Sequence, residues 1–266
     1  MRIGIVARLE IPEALKVTRR VLKLLANEET LLEQGLAKKL HKRGVEARAL
    51  RKADAIVTIG GDGTVLFAQR QAPETPILGI NLGGRGFLAD VKPNEAQRAL
   101  RMLVTGGLPI VERERLVGEA AGKLLPDALN DAVVYSAQAG RTLTLEVSVD
   151  GKLALDVRGD GIIVATPTGS TAYALAAGGP VVDPRLKVFV VVPICPSHPK
   201  PKPLIVPIDS RIKIELIRPE RKALIIVDGL VAGKLGPREK ATFYRSEKPA
   251  RFFKWDEFYR KVREKL

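Results

Sequence analysis

The sequence predicts an α/β protein, with an N-terminal doubly wound α/β domain and a β-rich C-terminal domain. Before position 105, apolar runs of strand length alternate with helical patterns, which is typical of a parallel sheet covered by helices. After the Gly-Gly pair at 106–107, short runs rich in β-branched residues replace them. We therefore expect domains at 1–105 and 106–254, with a final helix at 255–266 that completes the first domain.

The elements of the first half follow from hydrophobic periodicity. Strands are predicted where nearly every residue is apolar, at 3–7, 55–59 and 77–80. Helices are predicted where apolar residues recur every three or four positions, at 12–25, 31–43, 65–71 and 93–104. Because open α/β sheets bind ligands at the carboxyl ends of their strands, we expect the loops after 59 and 80 to open on one crevice, closed by the second domain.

The second half is predicted from alternation and turn chemistry. Strands are expected at 143–149, 204–207, 212–216 and 223–227. Asp150 and Gly151 stand between apolar runs and predict a hairpin turn, because both residue types tolerate positive φ. The proline-dense stretch at 193–207 is expected to be an extended loop or a sheet edge.

Composition limits the class of protein. With 266 residues, 45% of them apolar, the chain can form a packed core. Its single cysteine, Cys195, has no intrachain partner, and Met1 leads directly into a strand-like run. The apolar runs all fall well short of the ~20 residues that a membrane helix needs. We expect a soluble, cytoplasmic protein with no membrane partner.

The charge balance favours anionic partners. A net charge of +14 attracts nucleotides and nucleic acids alike. The lysines and arginines are spread along the chain and lack an interleaved aromatic platform, so we expect no specific nucleic-acid partner. High charge together with only four Asn and five Gln is typical of heat-adapted proteins.

The most informative segment is Gly-Gly-Asp-Gly-Thr at 60–64, between a predicted strand and a predicted helix. Glycines let backbone N–H groups approach phosphate oxygens, and a helix N-terminus favours the same anion, so Gly60, Gly61, Gly63 and Thr64 are candidate phosphate-binding residues. Phosphate repels the carboxylate of Asp62, which suggests that Asp62 either holds a divalent metal or takes a proton from a hydroxyl. The lysine of a P-loop is absent. The alternative is an ordinary strand-to-helix turn.

Two further segments carry polar groups. In 158–173, a short apolar strand leads to Thr168, Ser170 and Thr171 at an expected helix N-terminus, with 172–177 as the helix. These hydroxyls could cap that helix or bind a polar ligand. Asn130 and Asp131 could form a strand-entry turn or could hydrogen-bond a ribose or an adenine edge.

Other chemistries lack support in the sequence. His41 and His198 are isolated and Cys195 lacks a Cys-x-x-Cys partner, so we predict no protein-built metal cage. A Gly-x-Ser-x-Gly motif is absent around Ser170, which argues against a serine hydrolase. Phosphoryl transfer is the chemistry that the glycines favour.

The motifs resemble those of NAD kinases in order and spacing. The matching segments are Gly-Gly-Asp-Gly-Thr at 60–64, Leu-Asn-Asp-Ala-Val at 129–133, Gly-Asp-Gly-Ile-Ile-Val-Ala-Thr-Pro-Thr-Gly-Ser-Thr-Ala-Tyr at 159–173 and Gly-Gly-Pro at 178–180. The first motif also occurs in diacylglycerol, sphingosine and phosphofructo-kinases, whereas the run at 166–173 is more selective. The family's fold, an α/β domain followed by a β-rich domain, agrees with the pattern above.

The resemblance implies a role for each matching residue. Asp62 would be the catalytic carboxylate that acts on the 2′-hydroxyl of the adenosine ribose of NAD, with Gly63 against phosphate. The implied contacts with the adenosine portion are Asn130, Asp131, Thr171, Ala172 and Tyr173, continued by Ala174, Leu175 and Ala176. Arg158 and Asp160 would line the nicotinamide side, and Arg141 would add a contact. The resemblance also implies Mg²⁺ or Mn²⁺ as cofactor, ATP or polyphosphate as phosphoryl donor, and a homodimer or homotetramer.

Three positions depart from the family pattern. The loop at 196–203 has His198 displaced by one position and Lys202 in place of an arginine. Leu230 replaces the glutamine of an Asp-Gly-Gln segment, and Phe67 stands where some members carry a basic residue. Two alternatives stay open: a lipid kinase of the diacylglycerol type, and a non-catalytic nucleotide-binding protein.

Overall fold

The computed structural model describes residues 1–84, 86–197, 200–218 and 221–266. Within these ranges the chain forms two compact units, one made of 1–112 with 250–266 and the other of 113–249. None of the helices in the described ranges has the length and apolar character needed to cross a membrane.

The first unit is built on a six-stranded sheet. Its strands are β1 (Arg2–Ala7), β2 (Glu29–Leu32), β3 (Ala55–Gly60), β4 (Ile77–Asn81), β5 (Ile110–Arg113), whose last residue falls in the second unit, and β18 (Ala250–Phe253). Its helices are α1 (Pro12–Leu24), α2 (Gln34–Lys39), α3 (Asp62–Gln71), α4 (Ala96–Val104), α6 (Phe258–Lys265) and a 3₁₀ helix at Ala47–Lys52. The strand order is β2-β1-β3-β4-β18-β5.

The central strands of this sheet are parallel and buried on both faces. All six residues of β3 are buried, as an α/β sheet covered by helices requires. Ile3, Ile5, Val57 and Ile59 share one apolar cluster with α1 and α4. Because β3 and β4 are parallel neighbours with Gly60 opposite Asn81, the loops that follow both strands emerge at the same edge.

The second unit contains two six-stranded sheets. The strands of the first are β6 (Leu116–Ala120), β7 (Lys123–Leu124), β9 (Leu143–Val149), β10 (Lys152–Gly159), β14 (Ile212–Leu216) and β17 (Lys240–Arg245). Those of the second are β8 (Asp131–Ser136), β11 (Gly161–Ala165), β12 (Val188–Ile194), β13 (Leu204–Pro207), β15 (Ala223–Val227) and β16 (Leu230–Leu235). The orders are β10-β9-β14-β17-β6-β7 and β13-β12-β11-β8-β15-β16.

The core of the second unit lies between its sheets. Phe243 from one sheet and Phe189 from the other belong to a single buried cluster. The opposite face of the β8–β11–β12 sheet is covered by a 3₁₀ turn at Gly169–Thr171 and the short helix α5 (Tyr173–Ala176), which buries Ala174.

The predicted α/β fold class is confirmed, and the sequence prediction differs from the structure mainly in the first unit. The helix expected at 31–43 is wrong in part, because Glu29–Leu32 forms a strand that pairs with β1 and the helix spans only Gln34–Lys39. Pairing to a buried neighbour overrode the local helical periodicity. Glu33 then begins the helix by accepting the Leu36 N–H at 3.1 Å. The helices expected from 65 and 93 begin at Asp62 and Ala96.

Turn chemistry and alternation predicted part of the second unit. The strands expected at 143–149, 204–207, 212–216 and 223–227 are all observed. Asp150 and Gly151 have φ of 50° and 80° in the hairpin between β9 and β10, as predicted. The final helix forms over Phe258–Lys265 and belongs to the first unit.

Truncating Phe189 tests the core of the second unit. Phe189 is completely buried, so Phe189→Ala is expected to lower the free energy of unfolding by about 3–5 kcal/mol through lost burial and a new cavity. Chemical denaturation followed by circular dichroism measures the loss. The control is Ile205→Ala on the neighbouring strand, where the side chain is 56% exposed and a much smaller loss is expected. Equal losses in the two variants would contradict this assignment of the core.

Candidate active site

Asp62 is the first residue of α3, and its carboxylate is held by the backbone of the loop that follows β4. Oδ2 accepts the Phe87 N–H at 2.7 Å, while Oδ1 accepts the N–H groups of Leu88 at 3.0 Å and Ala89 at 3.2 Å. An ionised carboxylate has about four acceptor sites, so about one stays available to a ligand. The orientation of Asp62 is therefore set by the loop at 86–90, hereafter the 86–90 loop.

The 86–90 loop approaches Asp62 so closely that a side chain at its first residue is excluded. A Cβ atom built on Gly86 would overlap Asp62 Oδ1. Glycine is therefore required at 86 for the three hydrogen bonds to form.

The N-terminus of α3 presents bare backbone beside this carboxylate. Gly61 is the N-cap and carries no side-chain cap, and a Cβ on either Gly61 or Gly63 would meet open space. Gly60 and Thr64 are buried and pack against each other, so they support the turn from beneath. The free N–H groups and the helix dipole make this end of α3 suited to an anion.

The neighbouring loop lies at the same edge of the sheet. Leu82 N–H donates to Gly60 O at 2.8 Å, which ties this loop to the end of β3. Gly83 N–H donates to the Asn81 side chain at 2.8 Å, and Gly84 faces open space. Both glycine loops of the first unit therefore open at one place, as expected from the strand order.

In the second unit, Asn130 and Asp131 stand where the chain enters β8. The Asp228 carboxylate accepts the N–H groups of Leu129 at 2.8 Å, Asn130 at 2.8 Å and Asp131 at 3.2 Å. The backbone N–H of Asp228 donates to Asp131 O at 3.0 Å. The strand-entry turn is thus present, and Asp228 fixes the orientation of both candidate binding residues.

Asp228 is the residue that sequence reasoning missed. It precedes Gly229 and Leu230 in the segment that departs from the family's Asp-Gly-Gln pattern, and the structure places it at φ 45° in the hairpin between β15 and β16. An Asp-Gly pair between two apolar runs signals such a hairpin. No local pattern, however, indicates which backbone groups its carboxylate accepts.

Asp131 is 5% exposed and lies near the charge of Asp228. Burial, with a smaller contribution from Asp228, raises the pKa of Asp131 from 3.8 to about 7. A carboxyl group with this pKa is partly protonated at neutral pH, so Asp131 can donate a hydrogen bond as well as accept one.

The hydroxyl-rich turn after β11 is bound to this strand entry. Thr166 Oγ1 donates to Leu129 O at 2.6 Å and accepts the Gly169 N–H at 3.1 Å. Ser170 Oγ donates to Pro167 O at 2.7 Å and accepts the Val182 N–H at 2.9 Å. A Cβ on Gly169 would overlap Asn130 O. Thr166 and Ser170 therefore hold the turn together.

Capping is absent from this turn, although it was one of the two interpretations of the hydroxyls. The expected helix at 172–177 is a 3₁₀ turn followed by α5, and neither has a side-chain cap. Thr171 Oγ1 instead donates to Thr168 O at 3.3 Å. Tyr173 is 43% exposed, and burial of its hydroxyl still raises its pKa above the usual range. Ala172 and Leu175 are half-buried, Ala176 is exposed and Ala174 is buried in the core.

The backbone around Asp160 is fixed by neighbouring strands. Asp160 N–H donates to Ile194 O at 2.9 Å, and its carbonyl accepts the Ser136 N–H at 2.9 Å. Asp160 is half-buried, whereas the side chains of Arg158 and Arg141 are exposed. The structure thus places Asp160 on a rigid junction and the two arginines at the surface. His198, the displaced histidine of the 196–203 loop, lies outside the described residues.

A metal cage is not part of either unit as far as the structure describes them. No group of three or more His, Cys, Asp or Glu side chains in those ranges could hold an ion.

A fixed carboxylate beside a bare helix N-terminus, at the carboxyl edge of a parallel sheet, is suited to phosphoryl transfer and points to an enzyme of the kinase class. Family comparison specifies it further. Residues 3–108 match the ATP-NAD kinase N-terminal domain and residues 129–255 match the ATP-NAD kinase C-terminal domain. The chain belongs to the NAD kinase family, which confirms the resemblance found in the motifs.

Individual relatives are similar to this chain along its whole length. The chain is 40% identical to the NAD kinase of Methanothermobacter thermautotrophicus over 100% of this chain and 96% of the relative. A crystal structure of an NAD kinase from Archaeoglobus fulgidus in complex with ATP is similar at 30% identity and a TM-score of 0.82, covering 99% of both chains. Yeast NADH kinase complexed with NADH has the same fold at 22% identity, with a TM-score of 0.92, over 99% of this chain and 86% of that one.

The raised pKa of Asp131 predicts a pH-dependent stability. Between about pH 4 and 7 the folded protein holds a proton that the unfolded chain has released, so the free energy of unfolding falls as pH rises through that window. Between pH 5 and 8, the free energy of unfolding of wild type is expected to fall by about 2–3 kcal/mol more than that of Asp131→Asn.

Denaturant titrations of both proteins at several pH values measure this difference. The matched control is Asp209→Asn, whose side chain is 82% exposed and whose difference from wild type is expected to be small over the same range. A constant difference between wild type and Asp131→Asn would contradict the assigned pKa.

Proposed function

We propose that this protein transfers a phosphoryl group from ATP to the 2′-hydroxyl of the adenosine ribose of NAD, which forms NADP. The observation that carries the proposal is the Asp62 carboxylate, held by three backbone N–H groups beside the open glycines of α3, in a chain of the NAD kinase family. The match along the full length does not favour the lipid-kinase alternative.

Asp62 is proposed as the residue that accepts the proton of the attacking hydroxyl. A secondary alcohol is hardly ionised at neutral pH, so it needs a positioned acceptor as it attacks phosphorus. The three N–H groups fix the carboxylate in one orientation and leave about one acceptor site for the hydroxyl. Positioning of this kind contributes to rate without any movement during the reaction.

The N-terminus of α3 is proposed to bind phosphate. Gly61 and Gly63 leave room for phosphate oxygens to approach the backbone, and the helix dipole stabilises their negative charge. When bound, Mg²⁺ or Mn²⁺ would neutralise part of the charge on the donor's phosphates. We propose that the ion is held chiefly by those phosphates, as Mg²⁺ in kinase sites usually is, with at most one or two carboxylates.

The second unit is proposed to hold NAD. Asn130 and Asp131 offer amide and carboxyl groups in an orientation fixed by Asp228, which suits the edge of adenine or the ribose. Thr171, Ala172, Tyr173, Leu175 and Ala176 lie on the adjoining turn and helix and would add contacts to the adenosine. Ala174 would support this surface from beneath, because it is buried.

The remaining assignments complete the proposal. Asp160 and Arg158 are proposed on the nicotinamide side, with Arg141 as a further contact to an anionic part of the dinucleotide. We propose a homodimer or homotetramer, as the family resemblance implies. A cytoplasmic location is proposed as well, which agrees with a single cysteine that has no intrachain partner.

Replacing Asp62 tests the central role. Asp62→Asn is expected to lower kcat by about 10²–10⁴-fold, because an amide cannot take up the hydroxyl proton. The dissociation constant for NAD is expected to change only a few-fold. The measurement is NADP formation from NAD and Mg²⁺ with ATP, at ambient and elevated temperature, detected by a dehydrogenase that ignores NAD.

Repeating the same assay with polyphosphate in place of ATP identifies the phosphoryl donor. Asp209→Asn, at an exposed position, is the matched control and is expected to keep wild-type turnover. A fully active Asp62→Asn protein would contradict the role of Asp62 as proton acceptor. Tight NAD binding by wild type without product from either donor would favour the non-catalytic nucleotide-binding alternative.

Filling the space at Gly86 tests whether the position of Asp62 matters. The new methyl group of Gly86→Ala would overlap Asp62 Oδ1, so kcat is expected to fall by about 10–100-fold with NAD affinity nearly unchanged. The control is Gly107→Ala, where the nearest atom to a new Cβ is 3.6 Å away and turnover should persist. Wild-type kcat in Gly86→Ala would show that the close approach is unimportant.

A further inference from the structure

The C-terminal helix α6 holds the 86–90 loop, whose N–H groups bind Asp62, through two lysine side chains. Lys261 Nζ donates to Phe87 O at 2.9 Å and to Asp90 Oδ1 at 2.7 Å. Lys265 Nζ donates to Gly86 O, and its ammonium group lies 5.4 Å from the centre of the Phe87 ring. Two lysines from one face of α6 therefore hold consecutive carbonyl groups of a five-residue loop.

The 86–90 loop connects Lys261 to Asp62. The Phe87 N–H donates to Asp62, while its carbonyl oxygen accepts from Lys261. Two cations thus hold carbonyl groups of the loop, and its N–H groups hold the one carboxylate that we assign to catalysis. An ammonium group on a carbonyl also polarises the neighbouring amide and strengthens the hydrogen bond that its N–H donates.

Fold stability alone gives a poor account of this arrangement. The Lys261 side chain is 7% exposed and that of Asp90 is 18% exposed. Burial raises the pKa of Asp90 even with Lys261 beside it, and burial, then the charge of Lys261, lowers the pKa of Lys265. Apolar residues in place of a buried ion pair are often neutral or stabilising, so anchoring α6 does not need charge. A directed donor, however, is needed to orient a carbonyl group.

We propose that Lys261 is a positioning residue for Asp62 and acts through the 86–90 loop, with Lys265 as a second anchor of the same loop. The inference rests on the proposed function, because it concerns how Asp62 is held for the attacking hydroxyl. It assigns to α6, which follows the second unit in the sequence, a part in the chemistry of the first.

Lys261→Met removes the donor and keeps much of the side-chain volume. We expect kcat to fall by about 10–100-fold, with KM for NAD and ATP within about twofold of wild type, since a misplacement of about 1 Å at the reacting group has an effect of this size. Lys261→Arg is expected to recover part of kcat. The control is Arg263→Met, which removes one positive charge from an exposed position of the same helix and should keep wild-type kcat.

The double variant Lys261→Met, Asp90→Asn separates positioning from folding. It removes the buried carboxylate that Lys261→Met leaves unpaired, so the free energy of unfolding should recover. Turnover should stay low, because Phe87 O still lacks its donor. Recovery of kcat together with stability would overturn the proposal.

Hydrogen exchange gives a readout that does not depend on activity. The N–H groups of Phe87, Leu88 and Ala89 are expected to lose protection in Lys261→Met and in the double variant but not in Arg263→Met. Unchanged protection would overturn the proposal even if turnover fell. If wild type forms no NADP, the proposed function is wrong. Hydrogen exchange then still shows whether Lys261 holds the loop that orients Asp62.

Discussion

In each unit, one carboxylate accepts three consecutive backbone N–H groups, and the candidate site depends on that interaction. Asp62 accepts the N–H groups of residues 87–89, and Asp228 accepts those of residues 129–131. Hydrogen bonds to a charged acceptor are shorter and stronger than neutral ones, so a single side chain can fix a loop of three residues. The two carboxylates have different roles: Asp62 is proposed as the reactive group, whereas Asp228 orients the residues beside it.

Close backbone approach is the steric condition for both arrangements. Gly86 lies against Asp62, and Gly169 lies against the carbonyl group of Asn130. In each case the missing Cβ permits a contact that any other residue would prevent. The open glycines of α3 have a different role, because Gly61 and Gly63 face free space that an anion can enter. The motif glycines therefore divide into those that allow packing and those that leave a surface for ligand.

Charge is arranged differently in the two units. Around the 86–90 loop, the buried Lys261 pairs with Asp90, and both Lys261 and the half-buried Lys265 hold backbone carbonyl groups. At the entry to β8, the carboxyl groups of Asp131 and Asp228 lie close enough to interact, and burial together with that interaction raises the pKa of Asp131 to about 7. The first arrangement pairs an acid with a lysine that also holds a carbonyl group, whereas the second favours a neutral acid that can donate a hydrogen bond. The net charge of +14 adds a long-range attraction for anionic substrates that neither cluster supplies alone.

By itself the sequence determined the α/β class, three strands of the first sheet, several strands of the second unit, the hairpin at Asp150 and the motifs that identify the family. These features are local, because periodicity, turn residues and glycine spacing act within a few positions. Only the tertiary structure decided that Glu29–Leu32 is a strand, which depends on pairing with β1. It also decided what holds the site residues: Asp228 meets its three partners 97 to 99 positions away, and Lys261 meets Phe87 across 174 positions. Such contacts follow from how strands and helices are placed in space, and no local pattern in the chain encodes which distant backbone group a carboxylate or a lysine will meet.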